Sequence, residues 1–166
     1  MRVAETSSLR TIGHGLYYED FHVGMRFKTV GRTVTDVDII NFVGVTGMNE
    51  ILFTNYEYQK SALLNGRVAP GALVYALAEG LVLTPTAQNT GLAFLEMHLR
   101  IQRPTFALDT IHVECEVTEM RRTRSEGKGI IKTINQIINQ HGDVVMTYTP
   151  VRMWKTRPSA PPLPQA

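Results

Sequence analysis

The chain has 166 residues, 43% of them hydrophobic, with 17 basic against 15 acidic side chains. Its length suits one domain with a sizeable core, and its globular composition excludes a collagen-like, polybasic or wholly disordered chain. A formal net charge of +2 gives no reason to expect a nucleic acid or a membrane as partner, and one cysteine, Cys115, excludes an internal disulfide and points to a reducing compartment such as the cytoplasm.

In chain order, residues 1–16 lack an apolar stretch after Arg2, so a tail is expected there, and no signal peptide of the usual kind. Phe27, Thr29 and Val30 fit a strand. Thr35-Asp36-Val37-Asp38 fits a capping box, in which the threonine hydroxyl accepts from the third amide and the aspartate reaches back. Val37, Ile40, Phe42 and Val43 then carry a short amphipathic helix, which Gly44 and Gly47 are expected to end. Tyr56–Leu63 fits a second short helix. After the turn Gly66-Arg67-Val68-Ala69-Pro70, the segment Gly71–Leu83 is apolar on every side, with Glu79 its only charge. A helix of that kind is buried or spans a membrane. Spanning takes about 20 apolar residues, and this run is shorter, so it is expected in the core.

From Leu92 onward the period changes to two. Ala93, Leu95, Met97, Leu99 and Ile101 alternate with Glu96, His98 and Arg100, and Ile111, Val113, Cys115 and Val117 alternate with His112, Glu114 and Glu116. Gly129–Asn139 and Val144–Trp154 read as two more strands around a hairpin turn at Gln140–Asp143. Arg157–Ala166, with Pro158, Pro161, Pro162 and Pro164, reads as a second tail. The folded domain is expected over 17–156. Strands segregated from helices imply α+β, an antiparallel sheet of about five strands around the apolar helix. An uncovered edge strand in such a sheet favours a homodimer.

Several motifs in this order are similar to the MaoC-like dehydratases and R-specific enoyl-CoA hydratases of the hotdog superfamily. They are Tyr18-Glu19-Asp20-Phe21-His22-Val23-Gly24, Thr33-Val34-Thr35-Asp36-Val37-Asp38-Ile39, Gly66-Arg67-Val68-Ala69-Pro70-Gly71, Leu99-Arg100-Ile101-Gln102-Arg103-Pro104 and Asn139-Gln140-His141-Gly142-Asp143-Val144-Val145. The resemblance implies a hotdog fold and an acyl-CoA substrate, with no cofactor beyond coenzyme A itself. It also implies a loop reading Gly-Asp-x-Asn-Pro-x-His, whose aspartate and histidine activate water for addition across the enoyl double bond. Here the loop reads Gly47-Met48-Asn49-Glu50-Ile51-Leu52-Phe53, with Met48 at the aspartate's place and Phe53 at the histidine's.

The resemblance further implies that amides at the start of the central helix, those of Gly71, Ala72 or Leu73, hold the thioester carbonyl. Met48, Phe53 and Tyr75 are the other expected contacts of the acyl group. A helix start has free N–H groups and a positive dipole end, which suits an oxygen gathering charge; the plainer alternative is an ordinary turn glycine. Glu79 lies about two turns beyond Gly71. It is either an acid or base tuned by burial or a glutamate paired with an arginine. Glu50 is either its partner in a carboxylate pair or a solvated loop residue, and Asn49 is a candidate to orient water. Arg67, Arg103 and Arg121-Arg122-Thr123-Arg124 are candidates for the coenzyme phosphates, or solvated cations. The five histidines show no metal-ligand spacing, so no metal is expected. Three functions remain open: an acyl-CoA hydratase or dehydratase with an altered catalytic set, a thioesterase using Glu79, and a silent acyl-CoA-binding subunit paired with an active homologue.

Overall fold

The period-two segments form four long strands, β3 (Gly91–Ile101), β4 (Thr110–Arg122), β5 (Lys128–Ile138) and β6 (Val144–Lys155), in a computed structural model that describes residues 12–61 and 66–158. All pair antiparallel in the order β1-β4-β5-β6-β3, where β1 is Arg26–Lys28. The two-residue β2 (Arg32–Thr33) also pairs with β4, so the strands number six against about five expected. Alternation along β4, β5 and β6 sends Val113, Cys115, Val117, Ile131, Ile137, Met146 and Tyr148 to one buried face. The helix α4 (Gly71–Thr86) packs on that face through Leu73, Val74, Leu77, Ala78 and Val82. This is the expected α+β plan, and the apolar helix is the centre of the core.

Local signals settle the smaller elements. The helix α1 (Asp36–Thr46) opens on the expected capping box: Asp38 N donates to Thr35 Oγ1 at 3.1 Å, and Thr35 N donates to Asp38 Oδ2 at 2.9 Å. It runs through Gly44, since an interior glycine costs only about 1 kcal/mol. Gly47 ends it in a left-handed conformation, φ +71°, that a side chain would strain. One further turn, α2 (Ile51–Thr54), precedes α3 (Tyr56–Ser61). Residues 62–65, which include the end of the helix expected over Tyr56–Leu63, lie outside the described residues, as do the tail residues 1–11 and 159–166.

Three expectations are corrected. The central helix continues past Leu83 to Thr86 with Pro85 in its last turn, where the proline cannot donate to the preceding turn. The Thr86 hydroxyl and the Ala87 amide, donating to Val82 O at 2.6 Å and Leu83 O at 2.8 Å, close the end. Gly15 and Leu16, assigned to the tail, donate to Gln88 O and Thr86 O at 2.8 and 2.7 Å, so the chain is docked before Tyr17. Arg157 is docked too, its amide on Glu19 Oε2 and its guanidinium on Asp20. Finally, β3 does not present one clean apolar face. Irregularities between Gly91 and Ala93 and between Phe94 and Glu96 shift its register, and among the described residues its one neighbour is β6. Leu92, Phe94, Leu95, Leu99 and Ile101 are all exposed along it.

The capping box gives a direct test. Thr35→Ala removes one N-cap acceptor and is expected to lower stability by about 1 kcal/mol, read as a lower urea midpoint at unchanged slope.

Candidate functional site

At the N-terminus of α4 the chain leaves a cleft of about 200 Å³. Leu52 and Phe53 of α2 form one wall, Val74 and Gly71 of α4 another, and Ile101 and Met146 of the sheet a third. Of the remaining lining residues, only Arg103 and Thr105 are polar. Pro70 precedes the helix and provides no side-chain cap. The first amide with a helical partner is that of Val74, which donates to Pro70 O at 3.1 Å. The amides of Gly71, Ala72 and Leu73 therefore stand at the helix's positive end as the donors left over by helix geometry. Gly71 matters by its size: a Cβ there would stand 2.5 Å from Ile101 Cδ1, inside the cleft. The Ala72 side chain is exposed and points away from the core.

The two catalytic carboxylate candidates sit in different environments. Glu50 is exposed at the start of α2, where its carbonyl accepts from Phe53 N at 2.9 Å and from the Thr54 hydroxyl at 3.0 Å. Asn49 is exposed beside it. Glu79 is buried, and both of its carboxylate oxygens accept from Arg152 Nη2 of β6 at 2.5 Å. The two side chains are 12% and 9% exposed. This is the arginine pairing weighed from the sequence, located in the interior between helix and sheet. Glu79 is not among the residues lining the cleft, and Met48 and Phe53 pack against the apolar core.

Around the ion pair lies a polar group that the sequence reasoning did not identify. Tyr148 and Asn135 are fully buried, and Tyr148 Oη, both polar side-chain atoms of Asn135, Thr133 Oγ1 and Arg152 Nε have no hydrogen-bond partner among the described residues. The half-buried ring of Tyr75 meets Tyr148 edge-on at 5.2 Å. A signal was available: Tyr148 and Arg152 fall on the inward phase of β6, where an arginine among Met146, Pro150 and Trp154 demands a partner. Burial first, and then the Glu79 carboxylate, push the Tyr75 phenol up to about 12. The same two causes raise Tyr148, and burial raises the Cys115 thiol to about 12, so neither a phenolate nor a thiolate nucleophile is present here near neutrality.

The cationic candidates do not converge. Arg67 is partly buried and holds α2 and α3 to α1, donating to Tyr56 Oη at 2.9 Å, Phe53 O at 3.2 Å and Asp36 Oδ1 at 3.2 Å. Arg103 stands at the cleft and pairs with Asp143 at 3.2 Å. Arg122 and Arg124 lie on the β4–β5 hairpin with Lys128 and Arg157. That hairpin is at the other end of the sheet, since Gly129 pairs with Trp154 whereas Met146 pairs with Ile101. His98 and His112 sit beside Glu96 and Glu114, and no group of three metal-ligating side chains occurs among the described residues. No helix of the described residues is long and apolar enough to cross a membrane.

Residues 20–137 match the family described as the MaoC like domain. No curated protein sequence matches the chain. Among solved structures, a MaoC-like dehydratase from Rhodospirillum rubrum is 26% identical over 87% of this chain and 100% of its own, with a TM-score of 0.75. A Mycobacterium tuberculosis protein with a double hotdog fold is 22% identical over 92% of this chain and 48% of its own, with a TM-score of 0.80. The HadBC (3R)-hydroxyacyl-ACP dehydratase complex of the same organism is 19% identical over 79% of this chain and 96% of the matched chain, with a TM-score of 0.66. The hotdog plan expected from the sequence is thereby established.

Two measurements test the buried polar group. Glu79→Ala or Arg152→Ala leaves one charge buried without its partner and is expected to cost about 3–5 kcal/mol. The double variant Glu79→Leu/Arg152→Met is expected to stay near wild type, as compared by urea denaturation. The raised Cys115, Tyr75 and Tyr148 groups hold their protons longer when folded than when unfolded. Stability is therefore expected to be complete below about pH 9, where the unfolded thiol begins to ionise, and to fall as pH rises toward 12. Urea midpoints at pH 8, 9.5 and 10.5 read this directly.

Proposed function

Because the chain belongs to the MaoC-like domain family, we propose that it serves an acyl-thioester hydratase or dehydratase reaction by binding an enoyl- or 3-hydroxyacyl-CoA in the cleft at the start of α4. The observation that carries this reading is the cleft itself: apolar walls beside the free amides of the helix start, with Gly71 letting Ile101 pack close against the helix. The thioester carbonyl accepts from those amides, and the charge that gathers on its oxygen in the transition state is stabilised there. Phe53, Met146 and Ile101 then enclose the first carbons of the chain.

Hydration also needs one group to take a proton from water as its oxygen bonds to C3, and a group to deliver a proton to C2. Among the described residues the cleft lining holds no carboxylate, histidine, cysteine or tyrosine, and Glu79 is engaged by Arg152. The acid and base are therefore assigned to a partner subunit with an intact loop, the chain itself acting as the binding half. The exposed apolar edge of β3 is the surface this chain offers for such pairing. A double-hotdog protein and a two-component dehydratase among the structural neighbours support pairing of this kind. A homodimer uses the same edge.

A second reading rests on Glu50, the one carboxylate of the loop that leads directly into Leu52 and Phe53 of the cleft wall. In it, Glu50 handles the proton and Asn49 orients the water, and the chain works alone. Thioester hydrolysis by Glu79 has less support, since both oxygens of that carboxylate are occupied.

A panel of enoyl-, 3-hydroxyacyl- and saturated acyl-CoAs separates these readings. The chain alone is expected to bind the thioesters without hydration, dehydration or thiol release, and to yield turnover only with an intact-loop homologue. Leu52→Trp, which adds bulk at the partly exposed cleft wall, is expected to weaken binding at least tenfold while the fold is kept. Turnover by the chain alone that Glu50→Gln abolishes would establish the second reading, and absence of thioester binding would overturn both.

A further inference from the structure

Four threonines are buried, Thr86, Thr90, Thr105 and Thr133, and their hydroxyls have different fates. Those of Thr86 and Thr90 donate to Val82 O at 2.6 Å and to Thr86 O at 3.3 Å. That of Thr133 is sealed in the core. The Thr105 hydroxyl has no hydrogen-bond partner among the described residues and is not sealed, so its oxygen is part of the 4% of Thr105 that stays accessible. Strand register decides what that oxygen faces. Val68 and Phe106 form an antiparallel bridge, and the Ala69 amide donates to Thr105 O at 2.8 Å, so Ala69 and Thr105 stand opposite each other. Residues opposite in an antiparallel pair send their side chains to the same face. Here both are buried, and both line the cleft at the start of α4, where Ala69 precedes Gly71 by two positions.

The rest of the lining gives this oxygen its meaning. The walls are Leu52, Phe53, Val74, Ile101 and Met146, and the one other polar side chain among the lining residues, Arg103, is exposed and paired with Asp143. An alkyl chain needs nothing more from such walls. A hydroxyl carried between them gives up its water, and binding suffers unless a partner replaces it. Thr105 offers that partner without a charge of its own to desolvate, since its hydroxyl both donates and accepts. With the thioester carbonyl on the helix amides, the oxygen that enters next is the one on C3. We propose that Thr105 is a specificity-determining residue, its hydroxyl donating a hydrogen bond to the C3 oxygen of a 3-hydroxyacyl thioester. The ligand class rests on the acyl-thioester reading above, and the selection at C3 by Thr105 is what is added to it. An aliphatic hydroxyl is a weak acid and a weak base near neutrality, so Thr105 holds the C3 oxygen in place and replaces neither the acid nor the base of the reaction. A saturated or enoyl chain has no oxygen at C3 and gains nothing from it.

Butanoyl-, 3-hydroxybutanoyl- and 4-hydroxybutanoyl-CoA share one coenzyme and one chain length, and differ only in an oxygen on C3 or C4. They are titrated by calorimetry into the full chain and into its Thr105→Val and Thr105→Ser variants, with both configurations of the 3-hydroxy form. The wild type is expected to bind the better 3-hydroxybutanoyl-CoA about tenfold tighter than the butanoyl and 4-hydroxybutanoyl forms, the ratio that one hydrogen bond supplies. Thr105→Val keeps the shape of the side chain and removes the hydroxyl, and is expected to bind all of them alike. Its urea midpoint is expected to be no lower than that of the wild type, because the hydroxyl has no partner in the fold to lose. Thr105→Ser restores the hydroxyl and is expected to restore the preference. Equal affinities in the wild type, a preference that survives in Thr105→Val, or one lost as fully in Thr105→Ser as in Thr105→Val would each overturn the proposal. Binding without preference refutes the role of Thr105 and leaves the acyl-thioester reading standing, whereas absence of binding by every thioester overturns both.

Discussion

The buried pair of Glu79 and Arg152 is the interaction on which the arrangement of this protein turns. A helix that is apolar on every side has no intrinsic preference for how it lies on a sheet. A single charge in that helix changes this, because an ionised carboxylate is stable inside only with a partner and good geometry. Arg152 is 73 positions away in the chain and provides two hydrogen bonds at 2.5 Å. The pair fixes the rotation of α4, so that Val74 and Gly71 face the sheet at Met146 and Ile101 and Tyr75 meets Tyr148. The candidate cleft is thus built two turns from the charge that orients it.

The same pair occupies both carboxylate oxygens of Glu79. What remains at the cleft is the free amides of the helix start, apolar walls and one surface arginine engaged with Asp143. Arg67 holds the region in place by bridging α1 to α2 and α3 through Asp36, Tyr56 and the Phe53 carbonyl. An arginine that the sequence offered as a phosphate ligand is thus a partly buried support. Its planar, five-donor head can satisfy three acceptors from different elements at once, which a lysine could not.

The exposed apolar residues of β3 belong to the same economy of burial. The sheet of one chain covers only one side of α4, and the edge strand beyond it keeps a row of unpaired backbone groups next to Phe94, Leu99 and Ile101. A second subunit on that edge satisfies both the hydrogen bonds and the apolar surface.

The features legible in the sequence are those written in local patterns. The capping box at Thr35 and Asp38, the period-two runs of β4, β5 and β6, and the all-apolar run after Gly71 each follow from contacts a few residues apart. The motifs of the family were legible for the same reason, and with them the α+β hotdog plan. Only the tertiary structure decided where the charges went: Glu79 to Arg152, Arg67 to Asp36, Arg103 to Asp143, and the basic hairpin to the far end of the sheet. Side chains that pair across elements are brought together by strand register and helix rotation, which depend on the packing of the whole core. No window of sequence contains that information, and in this protein it decides that the one charge of the central helix is paired with an arginine of the sheet.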